Sequence, residues 1–316
     1  MGLHVRLRGS AVAFELHKFG LWLLAPERHP FESALTREVI SRMKKAIAVL
    51  EELLEDVAEH QAAEGNVTIA NMYPSLDRRY RFFRELAKEA YASPVPAPVV
   101  VEESPDGSMR HLRHDFMKPE REGFHFTGAM IDAYFSRLEH LLILVLPFIG
   151  FDPTQKRLLA FLDAPLSEKL KRVLDLADPP TKNTYDEFLR LRDLVRNPLA
   201  HGGIERGGRS VFFHVPMIGA LPARMTAARD AVHHFRFTPL PEARYAECCK
   251  LFDALDAILE KPPTSSGVTW AGSGFDVAFD EESRAEFAAA MRSEGGLAKM
   301  IEDVSEEIAY HINMDY

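Results

Sequence analysis

The feature that most constrains this chain is a run of helical periodicity between residues 124 and 201. Four amphipathic stretches follow one another there, separated by short breaks rich in Pro and Gly. In the first, residues 124–147, Met130, Tyr134, Leu138, Leu141 and Val145 recur at helical spacing and share one face. Asp132, Ser136 and Glu139 lie together on another arc of the same helix. Pro147 and Gly150 end it, Pro153 opens a short helix to residue 162, and a third covers 166–177. Asp178-Pro179-Pro180 reads as a stop, and the fourth helix runs from Thr184 to about His201, before Gly202-Gly203. Consecutive helices with such short connections bury their stripes against one another, which makes a bundle the expected architecture.

After Gly203 the period changes. Val211, Phe213 and Val215 alternate, as do Phe235 and Phe237, which predicts a two-stranded ribbon around an irregular loop over 217–232. A helix follows over 241–260, with Cys248, Leu251, Phe252 and Leu255 on its apolar face. The expected fold is therefore mainly α: a helical bundle with a small two-stranded β-ribbon inserted after the fourth helix.

The flanks are less regular. Residues 1–33 hold short apolar runs without a clear period. Residues 34–63 read as a long helix, with Val39, Met43, Ala46, Leu50, Leu53 and Val57 spaced by threes and fours. Such a stripe serves a core within its own chain or a partner, and the core is the expectation. Residues 75–91 form another helix in which Arg78, Arg79, Arg81 and Arg84 interleave with Tyr80, Phe82 and Phe83. That mixture would suit RNA; the expectation is that the rings face the core and the arginines face water. Residues 93–123 read as a linker or long excursion. Its His111, His114 and Asp115 lack a helix or a cysteine to give them metal-ligand geometry, so they are expected to be solvated. Residues 261–316 begin with breaks at Pro262-Pro263 and the Ser/Gly-rich run after them, then continue as helices near 281–292 and 297–312. The division expected is a 1–92 N-terminal helical region, a 93–123 linker, a 124–260 helical domain and a 261–316 acidic segment.

Charge and cysteine usage bound the setting. The formal net charge of −9 sits almost wholly in residues 276–316, which hold 11 acidic and 3 basic residues, so an anionic partner for the rest is not excluded. The two cysteines, Cys248 and Cys249, are neighbours on a helix, which suits a reducing, cytoplasmic location. Glu15, His17 and Lys18 interrupt the apolar N-terminus, a poor signal peptide, and no run is long enough for a bilayer. Phosphate-loop, dinucleotide, zinc-protease and nucleophile-elbow motifs do not occur.

The residues that carry chemistry close the fourth helix: LRDLVRNPLAHGG, residues 191–203. Arg196 and His201 are five apart, a spacing repeated at Arg209–His214 and Arg229–His234, so spacing alone decides nothing. Context does. Pro198 cannot donate its amide to the Leu194 carbonyl, so a kink or loosened turn is expected there. Helix-end carbonyls favour a protonated His201, and Arg196 offers a bidentate charge for phosphate. The bland alternative is a helix C-cap, where Arg and His are mildly stabilising.

This stretch resembles the signature of HEPN domains: an Arg, a polar residue, three more, then His. The helix GAMIDAYFSRLEHLLILVL (residues 128–146), the helix SEKLKRVLDL (167–176) and a last helix after the motif are similar in order to that family. The resemblance covers roughly 124–260. It implies a helical bundle, often dimeric, and in many members an endoribonuclease that needs no metal or other cofactor and leaves a 2′,3′-cyclic phosphate. It implies that Arg196 holds the scissile phosphate, Asn197 is the polar second position and His201 the acid or base, with Glu139 orienting Arg196 or His201 or forming a structural ion pair. The partners it implies are RNA, a second copy, and an antitoxin or regulatory protein in a toxin or antiviral setting, with no membrane. The alternative is a non-catalytic HEPN-like binding or scaffold protein.

Overall fold

The computed structural model describes residues 2–7, 10–17, 20–24, 34–104, 110–115, 117–196, 211–215, 219–227, 233–236 and 242–314. It is mainly helical. The centre is helix α3, Lys118–Leu144, which the periodicity placed six residues too late at its start. Pro119 sits in its first turn, where a missing amide costs nothing. Its predicted face, from Met130 through Tyr134, Leu138 and Leu141 to Val145, is wholly buried.

Three helices pack around it. Helix α2, Tyr73–Ala92, runs antiparallel to α3, since Arg137 reaches Asp77, Tyr80 meets the Tyr134 ring, and Thr127 donates to the Tyr91 hydroxyl. Residues 242–259 run parallel to α3 and form the last helix of the expected bundle: Phe252 stacks on Tyr134 with ring centroids 3.8 Å apart, and Asp256 meets Arg137. The motif helix adds Phe188, which stacks on Phe135 at 4.6 Å. Aromatic pairs of this kind contribute about 0.5–1.5 kcal/mol each beyond their burial. The same core takes in Tyr80 from α2 and Trp270, Phe279 and Phe287 from the C-terminal segment. Strand β4, Thr68–Ile69, pairs with Val277–Ala278, which ties the two flanks of the chain together.

Several segments differ from the expectation. Residues 1–33 hold a three-stranded antiparallel sheet, β1 Gly2–Leu7, β2 Ser10–His17 and β3 Gly20–Leu24, with Val5 opposite Val12 and Phe14 opposite Leu23. Within 93–123, β5 (Val99–Glu103) and β6 (Arg110–Arg113) form a hairpin. The insert after the motif contains both expected strands, β7 (Val211–Val215) and β9 (His233–Arg236), but they do not pair directly: β8, Gly219–Ala227, lies between them. Pro222 lies within β8, in the stretch expected to be an irregular loop. It is accommodated because β8 pairs with β9 only from Arg224 onward, so Pro222 has a neighbour on one side alone.

Asp178-Pro179-Pro180 starts a helix instead of stopping one. Asp178 accepts from the Thr181 amide as N-cap, and the prolines fill the first turn of α6, Pro179–Leu191, after α4 (Arg157–Asp163) and α5 (Leu166–Val173). The Ser/Gly-rich run after Pro263 is likewise a helix, Ser265–Ser273, because Gly267 lets it press against the Val145 backbone and Trp270 is buried beneath it.

The long helix α1, Ala34–Glu64, forms as predicted, but its stripe is not core. Of that stripe Val39 is buried, whereas Leu50 and Val57 are about half exposed, as are Ile40, Ile47 and Leu54 beside them. Its C-terminal end is anchored: the Lys156 amide donates to the Ala63 carbonyl and Lys156 Nζ lies 3.1 Å from Glu59.

Candidate functional site

The motif helix does not run straight to its end. After Leu191 the chain passes into a π turn, Arg192–Arg196. Such turns are single-residue insertions into a helix and re-aim the side chains that follow. The loosened turn expected near Pro198 thus lies immediately before it, where the Leu194 carbonyl has no proline amide to accept from. Val195 is buried in the core, which fixes the turn, and Arg196 emerges beside α3.

Arg196 lies in a defined place. Its Nε is 3.5 Å from Oδ1 of Asp132, and its guanidinium carbon is 5.9 Å from the centre of the Phe135 ring. Phe135 in turn stacks on Phe188, so a rigid aromatic pair supports the cation from below. Neither member of the ion pair is fully sequestered: Arg196 keeps 35% and Asp132 44% of its side-chain surface. A guanidinium held on one side and part exposed on the other can meet an incoming anion through its exposed edge. Arg192, one turn earlier, pairs with its neighbour Asp193 at 2.9 Å.

Glu139 is elsewhere. Its carboxylate accepts from Lys169 Nζ of α5 at 2.6 Å, and Lys169 is almost wholly buried. The expectation that Glu139 orients Arg196 gives way to the structural ion pair, and Asp132 takes the place beside the arginine. Both acids lie on one arc of the helix by its 3.6-residue period. They are seven residues apart, so about 10 Å along the axis. Asn197 and His201 lie outside the described residues.

The remaining candidates resolve as follows. Of the α2 arginines, Arg81 is held by Asp77 at 2.5 Å and Arg84 by both oxygens of Asp253, at 2.5 and 2.7 Å. Tyr80 is buried as expected, while Phe82 is exposed and so departs from the rings-inward reading. Asp115 pairs with Arg121 and His114 is exposed. Among the described residues, no group of three or more His, Cys, Asp or Glu is arranged to hold a metal ion, and no helix is long and apolar enough to cross a membrane.

No protein-family model, curated protein or solved structure matches this chain. The chemistry of Arg196 and its surroundings is therefore the ground for a functional reading.

Proposed function

We propose that this chain is a HEPN-type endoribonuclease that cleaves RNA by acid–base transesterification without a metal ion, in a toxin or antiviral setting. The observation that carries the reading is the placement of Arg196 at the π turn: seated on Phe135, beside Asp132, and open to solvent at the end of the motif helix. In this reading Asp132 orients the guanidinium until an RNA phosphate replaces it as the stronger bidentate partner. His201 takes the 2′-hydroxyl proton; the 2′-oxygen forms a bond to phosphorus while the bond to the 5′-oxygen breaks, and water gives the departing oxygen its proton. Arg196 stabilises the charge that builds on the phosphoryl oxygens, and Asn197 holds the phosphate or the imidazole. The resemblance brings with it a second copy and an antitoxin or regulatory protein as partners, and a cytoplasmic location.

A second reading, a non-catalytic HEPN-like scaffold, is favoured by one observation: the exposed apolar stripe of α1, which suits a partner and not chemistry. One assay separates the two. Purified protein is incubated with mixed RNA in EDTA beside Arg196→Ala and His201→Ala, and products are checked for cyclic phosphate ends. Cleavage by the wild type, reduced at least about a hundredfold in both variants, is expected. Intact RNA, or cleavage undiminished in both variants, refutes the ribonuclease.

A further inference from the structure

Helix α1 carries an apolar seam that its own chain leaves open. Ile40, Met43, Ile47, Leu50, Leu54 and Val57 follow one another at intervals of three, four, three, four and three, a heptad seam with Ile or Leu at one position and Met, Leu or Val at the other. Ile40, Ile47, Leu50, Leu54 and Val57 keep 46, 49, 53, 48 and 52% of their surface. Soluble chains do not commonly leave such a contiguous stripe bare. The helix is anchored at its C-terminal end through Glu59 and the Ala63 carbonyl. At 100° per residue Glu59 points away from the seam, whereas Thr36 and Val39, buried just before it, lie on the seam's side, so the bare seam begins at Ile40.

The charges identify the occupant. Residues 37–45 carry Arg37, Arg42, Lys44 and Lys45 against one acid, Glu38, whereas 51–59 carry Glu51, Glu52, Glu55, Asp56 and Glu59 and no Lys or Arg. A parallel copy would set base against base and acid against acid. An antiparallel copy sets each half against its complement, and does so in a single register. Pairing residues whose numbers add to 97 places Ile40 against Val57, Met43 against Leu54 and Ile47 against Leu50, each twice about a two-fold axis. The same register brings Lys44 to within two residues of facing Glu51 on the flank of the seam, again twice.

We infer that α1 is a homodimerisation helix that pairs antiparallel with α1 of a second copy, in the register Ile40–Val57, Met43–Leu54 and Ile47–Leu50. The interface is isologous and closes on itself, as a two-fold pair requires. It does not rest on the ribonuclease reading, since the seam and its charges lie outside the motif.

The test is sedimentation velocity of the full chain at micromolar concentration, with circular dichroism as the check on folding. The expected species has twice the 35.7 kDa mass of the chain. Ile47→Glu puts like charges near the two-fold axis and is expected to leave a folded monomer. A wild type that stays monomeric, or an Ile47→Glu variant that stays folded and dimeric, overturns the proposal. Orientation is read by oxidative cross-linking, the two native cysteines being buried. Ile40→Cys mixed with Val57→Cys is expected to give a mixed disulfide, and neither variant alone a cross-link. Cross-linking of each variant with itself would mean a parallel pair and overturn it.

Discussion

The joint that holds α2, α3 and the 242–259 helix together is a single buried cation, and removing it tests the architecture on which the candidate site stands. Arg137 is 2% exposed. It donates to Asp77 at 2.7 Å and to both oxygens of Asp256 at 2.5 Å, and its guanidinium lies 4.8 Å from the centres of the Tyr80 and Tyr134 rings. Tyr134 donates to Asp256 as well. In Arg137→Leu the volume is roughly kept but two carboxylates lose their cation. Stranding a buried charge in this way costs about 3–5 kcal/mol. The lower end applies, because Asp77 and Asp256 keep 16 and 23% of their side-chain surface and Asp77 retains Arg81. The expected loss is about 3 kcal/mol, or about 4–5 °C in Tm for a chain of this size. Asp256→Asn in the same background removes the stranded charge, so the double variant should be more stable than Arg137→Leu alone. Urea denaturation of the four members of the cycle measures this. A loss under about 1 kcal/mol for Arg137→Leu, or a double variant less stable than Arg137→Leu, would refute the argument that an uncompensated charge is the cause.

Two further perturbations probe other joints. A Cβ on Gly267 would lie 2.8 Å from Val145 Cα, so Gly267→Ala should destabilise by about 1–3 kcal/mol in thermal denaturation, and a neutral result would mean that this helix shifts freely. Burial lowers the pKa of His140, whose Nε2 accepts from the Met72 amide. A depressed folded pKa gives stability that is present above the unfolded value, about 6.5, and lost as pH falls through the folded one. Urea midpoints of the wild type should thus fall as pH drops below about 6.5, and His140→Gln should flatten that slope; parallel curves would count against it.

What the sequence disclosed follows the strength of its periodicity. The buried face of α3 was readable because 3.6-residue spacing and burial coincide in a central helix. The stripe of α1 gave the helix but not its environment, since an apolar face says only that something should cover it. Short strands were the main loss. The strands of 1–33 are five to eight residues long but lack clean alternation, those of 99–113 are four and five residues long, and β8 holds Pro222, which a sheet accepts where no neighbour needs its amide. Asp178-Pro179-Pro180 was ambiguous in kind: proline ends one helix and starts another with equal ease, and only the Asp178 side chain on the Thr181 amide shows which.

The choice between Asp132 and Glu139 shows where sequence reasoning about the site fell short. Both are acids on α3, seven residues apart on nearly the same face, so either could meet an arginine from a neighbouring helix. The contacts around the π turn decide. Phe188 stacks on Phe135, and the turn brings Arg196 over the same ring, where the acid one turn before Phe135, Asp132, is the one that it meets. The later one is level with α5, where the buried Lys169 needs a counter-charge. Helix order alone leaves both pairings open; the aromatic stack of Phe135 on Phe188 sets the register and assigns each cation its acid.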